Sequence, residues 1–515
     1  MRTLHAKVSL AFVVLLSWAI IYCGTADSAV ASPRGVLKGA IHWGPSADWF
    51  DPSLPNFAQS GLFPLYLFHD SLVKPMPEGL RTPCLAESWN ISSDSKVYEF
   101  KLRKGVKFHN GDEMTSEDVV FSFSRYKGGA AKQVKDRIEK VEAVNPYLVR
   151  VSFKAPFPNF FEYFITGECT IGWVVPKKYI EKVGDAEYKK NPIGCGPYKF
   201  VEYKPDGRIV GEAFENFWRK VPNIRRMEFY IVKELSTRYA MLKNGEVDMA
   251  TVMIDVFYGR IKKDPNLRLI APDSPTSYVA YLASQWDPKS PWSDPRVRKA
   301  ASLAIDRRAL NDVHNPGAAE IGFVSLPGEP EGVSFPPDPY DPERAKKLLA
   351  EAGYPKGFHG GIFYPWNGPY WAFCEQVVNY WKAIGITMET MLLDRAAFLS
   401  KRRGGQMKGA TCIEAIAQPT IGTKLEYLFG STSYGNYPDI AELWGRYNKA
   451  FDPKIRKDLI GQIQRLMYDR TMVISLTGAN SPAGLSPKIR GNPYKIQKPY
   501  PIWFMSPFED VELNE

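Results

Sequence analysis

The chain has 515 residues, 44% hydrophobic and 13% aromatic, with 66 basic against 56 acidic side chains and a formal charge of +10. The excess of positive charge is mild and dispersed, and no basic cluster is interleaved with aromatics, which argues against nucleic acid as a partner. The length exceeds what one core supports, so two or three domains are expected.

In chain order, Arg2 and Lys7 precede an apolar run from Val8 to Cys23, and Ala29-Val30-Ala31 offers small residues for cleavage. This reads as a secretory signal peptide over residues 1–31. Its removal takes Arg2, Lys7 and Asp27 away, so the formal charge moves from +10 to +9. A lipoprotein anchor at Cys23 is disfavoured because Ile20-Ile21-Tyr22 lacks small residues. An uncleaved anchor ranks lower because the run is short of the roughly 20 residues of a span. The mature chain therefore reads as soluble and exported to the periplasm. It keeps Cys84, Cys169, Cys195, Cys374 and Cys412, an odd number that allows at most two bridges in an oxidising compartment.

Gly39–Asp51 starts as a strand and runs into an aromatic loop, and Gly61–Leu72 reads as helix. Tyr98, Phe100 and Leu102 alternate with Glu99, Lys101 and Arg103, which gives a half-buried strand. After the Lys104-Gly105 turn, Val106 and Phe108 resume the alternation as a second short strand. Asn110-Gly111-Asp112 is a further turn. Thr115 can cap a helix whose first turn holds Glu117 and Asp118 and whose buried side is Val119, Val120 and Phe123. Strands follow at Tyr147–Phe153, Phe200–Tyr203, Ile209–Glu212, Met227–Val232 and Tyr278–Ala283, with a helix at Glu234–Leu242. From Ser293 onward strands and helices alternate. Helices are expected at Arg296–Leu310, Pro342–Ala352, Trp371–Ile384, Arg395–Lys401 and Ile455–Asp469, and strands at Thr387–Leu392 and Val473–Leu476.

Four blocks carry a resemblance. They are AESW with YEFKLRKGVKFHNGD and TSEDVVFSF between Ala86 and Phe123, then NPIGCGPYKF at Asn191–Phe200, DPRVRKAASLAID at Asp294–Asp306 and DPERAKKLLAEAGY at Asp341–Tyr354. In this order the chain closely resembles the dipeptide, oligopeptide and nickel-type solute-binding proteins of bacterial ABC importers (family 5), with Cys195 where threonine is usual. The resemblance implies a periplasmic-binding-protein-like α/β fold: two α/β lobes joined by a two-crossing hinge, with an extra α/β domain inserted in the first lobe. Residues 32–75, 191–284 and 488–515 would form lobe I, 76–190 the inserted domain and 285–487 lobe II, with crossings near 284 and 487. It also implies a monomer that traps a small solute between the lobes by hinge closure and passes it to an ABC permease in the membrane.

Catalytic patterns fail. There is no Gly-Lys dipeptide for a phosphate-binding loop and no G-x-S-x-G elbow, and Pro197 follows Gly194-Cys195-Gly196 where a nucleotide loop would open a helix. His42, His69, His109, His314 and His359 show no i, i+4 pairing, and no CxxC occurs, so neither a metal site nor a redox motif is supported. His109, in a turn of the first block, reads as a structural hydrogen-bonding residue. The chain is thus expected to need no cofactor and to be no enzyme. An exported enzyme or chaperone on the same fold is the alternative, and it would need a nucleophile–base pair that the sequence does not show.

Aromatic loops suit a ligand cleft. By similarity the loops 43–50, 364–371, 411–420 and 431–437 face it, which nominates Trp43, Trp49, Trp366, Tyr370, Gln418, Tyr434 and Asn436 as ligand contacts. Peptide-binding members use an aspartate on the second-lobe turn to hold the ligand's α-ammonium. Here no aspartate lies between Gly409 and Pro438, and Glu414 is the nearest acid before Gln418-Pro419. A one-residue shift on a strand changes the face, so free-amino peptides are expected to be poor ligands. Arg402 stands where oligopeptide members carry an arginine and is the expected cleft cation, against the alternative of a solvated Lys401-Arg402-Arg403 cluster.

Overall fold

The computed structural model describes residues 32–514 apart from 46–49, 55–61, 128, 165–170, 271–275, 315–330, 366–370, 416–420, 423–424, 426–427, 429–434, 436, 480–481 and 494–505. The expected signal peptide and Cys169 lie outside these residues. Cys84, Cys195, Cys374 and Cys412 are buried free thiols.

Three larger sheets organise the chain. The first has seven strands in the spatial order Arg268–Ile270, Ala483–Leu485, Met249–Thr251, Arg34–Ile41, Ile224–Ile231, Arg208–Ala213 and Tyr198–Tyr203. Arg34–Ile41 runs parallel to both of its neighbours. Leu37 and Ile41 enter one core with Met227 and Phe229, while Ala40 enters a second core with Ala250 and Leu242. Adjacent residues thus serve opposite faces.

Between the first strand and Tyr198–Tyr203 the chain builds a separate antiparallel sheet, ordered Ala86–Ile91, Val97–Leu102, Leu148–Phe153 and Ile138–Asn145. The alternation read in the sequence holds, since Tyr98, Phe100 and Leu102 are buried together. They meet Phe153 and the aromatic turn Phe160–Phe164 in one core. The helix Ser116–Arg125 begins as expected: the Asp118 carboxylate accepts from the Thr115 N–H at 2.9 Å and from its hydroxyl at 3.3 Å. Val106–Phe108 is not a strand. It makes an isolated bridge in which Phe108 N donates to Asp112 O at 2.8 Å and Met114 N to Val106 O at 2.9 Å, so the turn closes on itself before a ladder can form.

The third sheet is ordered Ile386–Thr390, Phe358–Tyr364, Gly409–Ala415, Thr276–Tyr281 and Val473–Ala479, the first three strands being parallel. Helices cover one face around Tyr278, Phe363 and Cys412 and the other around Tyr281, Tyr364 and Ile413. The expected helix Arg296–Leu310 is two helices, Pro295–Leu303 and Arg307–His314. Asp306 caps the second by accepting from Ala309 N at 2.9 Å. The Arg307 guanidinium reaches the carbonyls of Ser302 (3.1 Å), Ile305 (3.3 Å) and Ser475 (2.8 Å), and so ties the break to the sheet. The helices Gly129–Arg137, Asp255–Lys263 and Pro438–Tyr447 were not anticipated.

The chain leaves the seven-stranded sheet after Ile270 and joins the five-stranded one at Thr276. It returns between Ala479 and Ala483. Both connections precede the expected positions near 284 and 487, because Thr276–Tyr281 and Val473–Ala479 pair with each other inside the second sheet.

The NPIGCGPY block proves to be a fastening. A Cβ on Gly194 would lie 2.0 Å from Phe68 O, and one on Gly196 would lie 2.6 Å from His69 N. Backbone leaves no room for either. His109 N donates to Gly194 O at 2.9 Å, and the imidazole takes Gly194 N–H at Nδ1 (3.3 Å) while donating from Nε2 to Gly196 O (3.0 Å). The turn of the first block is thereby bound to the second. Gly194→Ala is expected to lower stability by at least about 2 kcal/mol, as overpacking against fixed atoms does. A shifted midpoint in urea unfolding, followed by circular dichroism, checks it.

Candidate functional site

Two walls can be built from the strand ends. In open α/β sheets ligands bind beyond the carboxyl ends of parallel strands, where the helix-covered faces leave a crevice. The parallel strands Arg34–Ile41 and Phe358–Tyr364 each end in one of the aromatic loops singled out above.

The loop after Ile41 is pinned at several points. The Tyr203 hydroxyl donates to Pro45 O, and His69 Nε2–H donates to Phe50 O at 2.8 Å. Asp51 accepts from Arg125 at 2.8 Å and from Ser53 N at 2.9 Å, and Arg125 also pairs with Asp185 at 2.5 Å. Arg125 closes the signature helix, so the motif itself frames this loop. Phe50 packs against Phe68, Phe200 and Tyr203. Trp43 is only 6% exposed and sits in the core beside Phe63, at a ring distance of 6.0 Å. Its placement is that of a packing residue under the loop. Trp49 lies outside the described residues.

On the second wall Tyr364 is in register with Thr411, and Thr411 Oγ1 donates to Tyr364 O at 2.7 Å. The neighbouring parallel strands Phe358–Tyr364 and Gly409–Ala415 therefore end on the same side. Trp366, Tyr370, Gln418, Tyr434 and Asn436 fall in segments outside the described residues. Glu414 is in the strand Gly409–Ala415, with its backbone opposite Tyr278. Trp286, which the sequence reading did not single out, packs against Gly435 and Tyr437. A Cβ on Gly435 would lie 2.7 Å from the indole, and Tyr437 packs on the same ring at 4.7 Å. A tryptophan just after the strand Thr276–Tyr281 was the available signal. Ser284 Oγ accepts from Gly409 N at 2.6 Å, and Gln285 donates to Met472 O at 2.9 Å, so this short turn braces two strands.

Arg402 lies near the end of the helix Arg395–Arg403 and is 4% exposed. Asp394 caps that helix by accepting from Ala397 N at 2.8 Å. Phe398, one turn before Arg402, packs in the core that holds Tyr364 and Ile413. The arginine is thus a buried cation beside the strands that carry the second wall's loops, and the reading of it as part of a solvated cluster is set aside.

Comparison with known proteins places this geometry. Residues 81–412 match the family described as bacterial extracellular solute-binding proteins, family 5 middle. The chain is 28% identical to the heme-binding protein A of Haemophilus influenzae over 459 residues, covering 81% of this chain and 82% of the relative. It is 29% identical to the dipeptide-binding protein of Escherichia coli strain K12, over 63% of this chain and 65% of that one. Among solved structures, the periplasmic binding protein DppA of Helicobacter pylori in complex with the peptide STSA superposes with a TM-score of 0.78 at 24% identity, covering 93% and 98% of the two chains. The protein AgaA from A. tumefacien R10 in complex with agropinic acid gives 0.79 at 22% identity, covering 93% and 98%.

The loop's histidine brace is sensitive to acid. Burial pushes the His69 imidazole down to about 4, and burial likewise takes His109 down to about 3. An unfolded histidine protonates near 6.5, so as pH falls the unfolded chain takes up the proton first. Stability held by these rings is complete above that value and is lost as pH drops from about 6.5 through 4. Urea midpoints across this range should fall in the wild type, and fall less steeply in His69→Gln, whose stability at pH 7 is already lower.

Proposed function

Because the chain belongs to the family 5 bacterial extracellular solute-binding proteins, we propose that it captures a carboxylate-bearing organic solute between its two walls and hands it to an ABC permease. Proteins of this family bind solutes for transport and are not enzymes, which removes the enzyme alternative. On this reading residues 32–75 with 191–270 and the chain from Ala483 onward form one lobe, 76–190 an inserted domain and 276–479 the other lobe. Residues 1–31 act as a cleaved leader, and the mature chain works as a monomer in the periplasm. Among the described residues no helix is long and apolar enough to cross a membrane.

The observation that carries the solute class is the buried guanidinium of Arg402 next to the Tyr364 and Ile413 core. A buried arginine beside the strands that carry the second wall's loops suits a carboxylate, whose two oxygens match its two-pronged donor geometry. The absence of aspartate from 409–438 argues in the same direction, since an α-ammonium buried without an acid would be costly. Relatives named for heme, dipeptides and glutathione, and neighbours holding a peptide or an opine-type acid, show how widely such clefts vary.

Tryptophan fluorescence of the mature protein decides between classes. Titration with opine-type acids and haem is set against glutathione and di-, tri- and pentapeptides, which carry a free α-ammonium. Submicromolar binding is expected for a carboxylated solute without a free α-ammonium, and Arg402→Gln should weaken it more than fivefold. Tight binding of ordinary peptides, or affinity unchanged by Arg402→Gln, would overturn this assignment.

A further inference from the structure

A cluster of polar contacts centred on one arginine joins the four-stranded body to the second wall's body. Arg456 sits in the first turn of the helix Pro453–Asp469, whose Leu459, Ile460 and Ile463 are rooted in the core beneath the five-stranded sheet. Its own body prepares it. Nε donates to Glu331 Oε1 at 2.7 Å, Nη2 donates to the Tyr447 hydroxyl, and that hydroxyl donates to Glu331 Oε2 at 2.8 Å. The guanidinium carbon lies 4.1 Å from the centre of the Tyr447 ring.

The remaining donors cross to the other body. Nη1 donates to Asn159 Oδ1 at 2.5 Å, and Nη2 pairs with Glu162 Oε1 at 3.2 Å, across 297 and 294 residues of sequence. Asn159 Nδ2 adds a bond to Asn448 Oδ1 at 3.1 Å. Asn159 and Glu162 stand on the turn Phe160–Phe164, whose phenylalanines are locked into the core with Tyr98, Phe100 and Phe153. Both sides of the contact are therefore rigid, and every partner is a side chain.

We propose that Arg456 is a closure latch, holding the inserted body against the second lobe when the cleft is shut and releasing it when the lobes part. The charges fit a reversible contact. Arg456 and Glu331 form a neutral pair within one body, braced by Tyr447, so opening strands no buried cation. Closure brings the Glu162 carboxylate against a guanidinium that is already oriented, which keeps the ordering loss on closing small. The latch is made by side chains outside the aromatic loops, so it sets how long a trapped solute stays without choosing which solute enters. That role rests on the solute-capture reading, but its test does not require a solute.

The full mature protein carrying Asn159→Cys and Asn448→Cys is treated with a short bis-maleimide, and the link is read by peptide mapping. Linking is expected in this parent and should slow at least fivefold when Glu162→Gln or Arg456→Met is added. Glu162→Gln keeps the side chain's shape and sits on the opposite body, which covers the case of an Arg456 variant that fails to fold. Equal rates in parent and both variants would overturn the latch, as would a folded parent that never links. Fluorescence titration on the same preparations separates the two readings: altered linking without any solute response leaves the latch standing and counts against solute capture.

Discussion

The approach of Gly194 and Gly196 to the backbone of Phe68 and His69 is the contact on which the rest of this structure depends. It brings three distant stretches to one point: the helix Leu62–Phe68, the turn at His109 and the NPIGCGPY block. Both imidazoles there are held neutral by burial, with Nε2–H donating to Phe50 O in one and Gly196 O in the other. At His109 the neutral ring accepts from Gly194 N–H and donates to Gly196 O, and an imidazolium, which has no acceptor, could not take the Gly194 N–H. The seven-stranded body and the four-stranded body are thereby made one unit, and the aromatic loop at 43–51 hangs from it.

A family signature is thus tied to fastening. The helix Ser116–Arg125 that ends the first block also supplies Arg125, which grips Asp51 at the far end of the loop. Opposite, the second wall depends on burial of both faces of the five-stranded sheet. Parallel strands covered by helices leave only their ends open to solvent, so a solute is met at those ends, by the loops there and by side chains packed beside them. In such an arrangement the loops at the strand ends can vary without disturbing the sheet or the fastening beneath it.

Much of this was legible from residue pattern. Alternation at Tyr98–Leu102 and the Thr115 cap gave local elements correctly, since each is decided by neighbours within a few positions. What sequence hid was decided by distant partners. The break after Leu303 is invisible in a helical periodicity that continues through it, and exists because Arg307 finds carbonyls on the strand Val473–Ala479. The links between sheets were placed late because Tyr278 begins an apolar run whose partner lies two hundred residues on. Trp43 looked like a cleft aromatic and is a core residue, a difference that turns on Phe63. Arg402 looked half like surface charge, and only its helix packing through Phe398 shows it buried. Nothing in the sequence marked Arg456, one of many arginines, as the meeting point of Asn159, Glu162 and Glu331.

The central claim is that this fold exists to carry a small organic solute. Native mass spectrometry of the mature protein, purified from exporting cells without refolding, addresses it directly. The account predicts a mass above that of the polypeptide, released on mild activation as a single organic acid and absent after unfolding and dialysis. A protein that is folded, free of adduct, and unresponsive in mass to solute-rich extract from the same cells would contradict it.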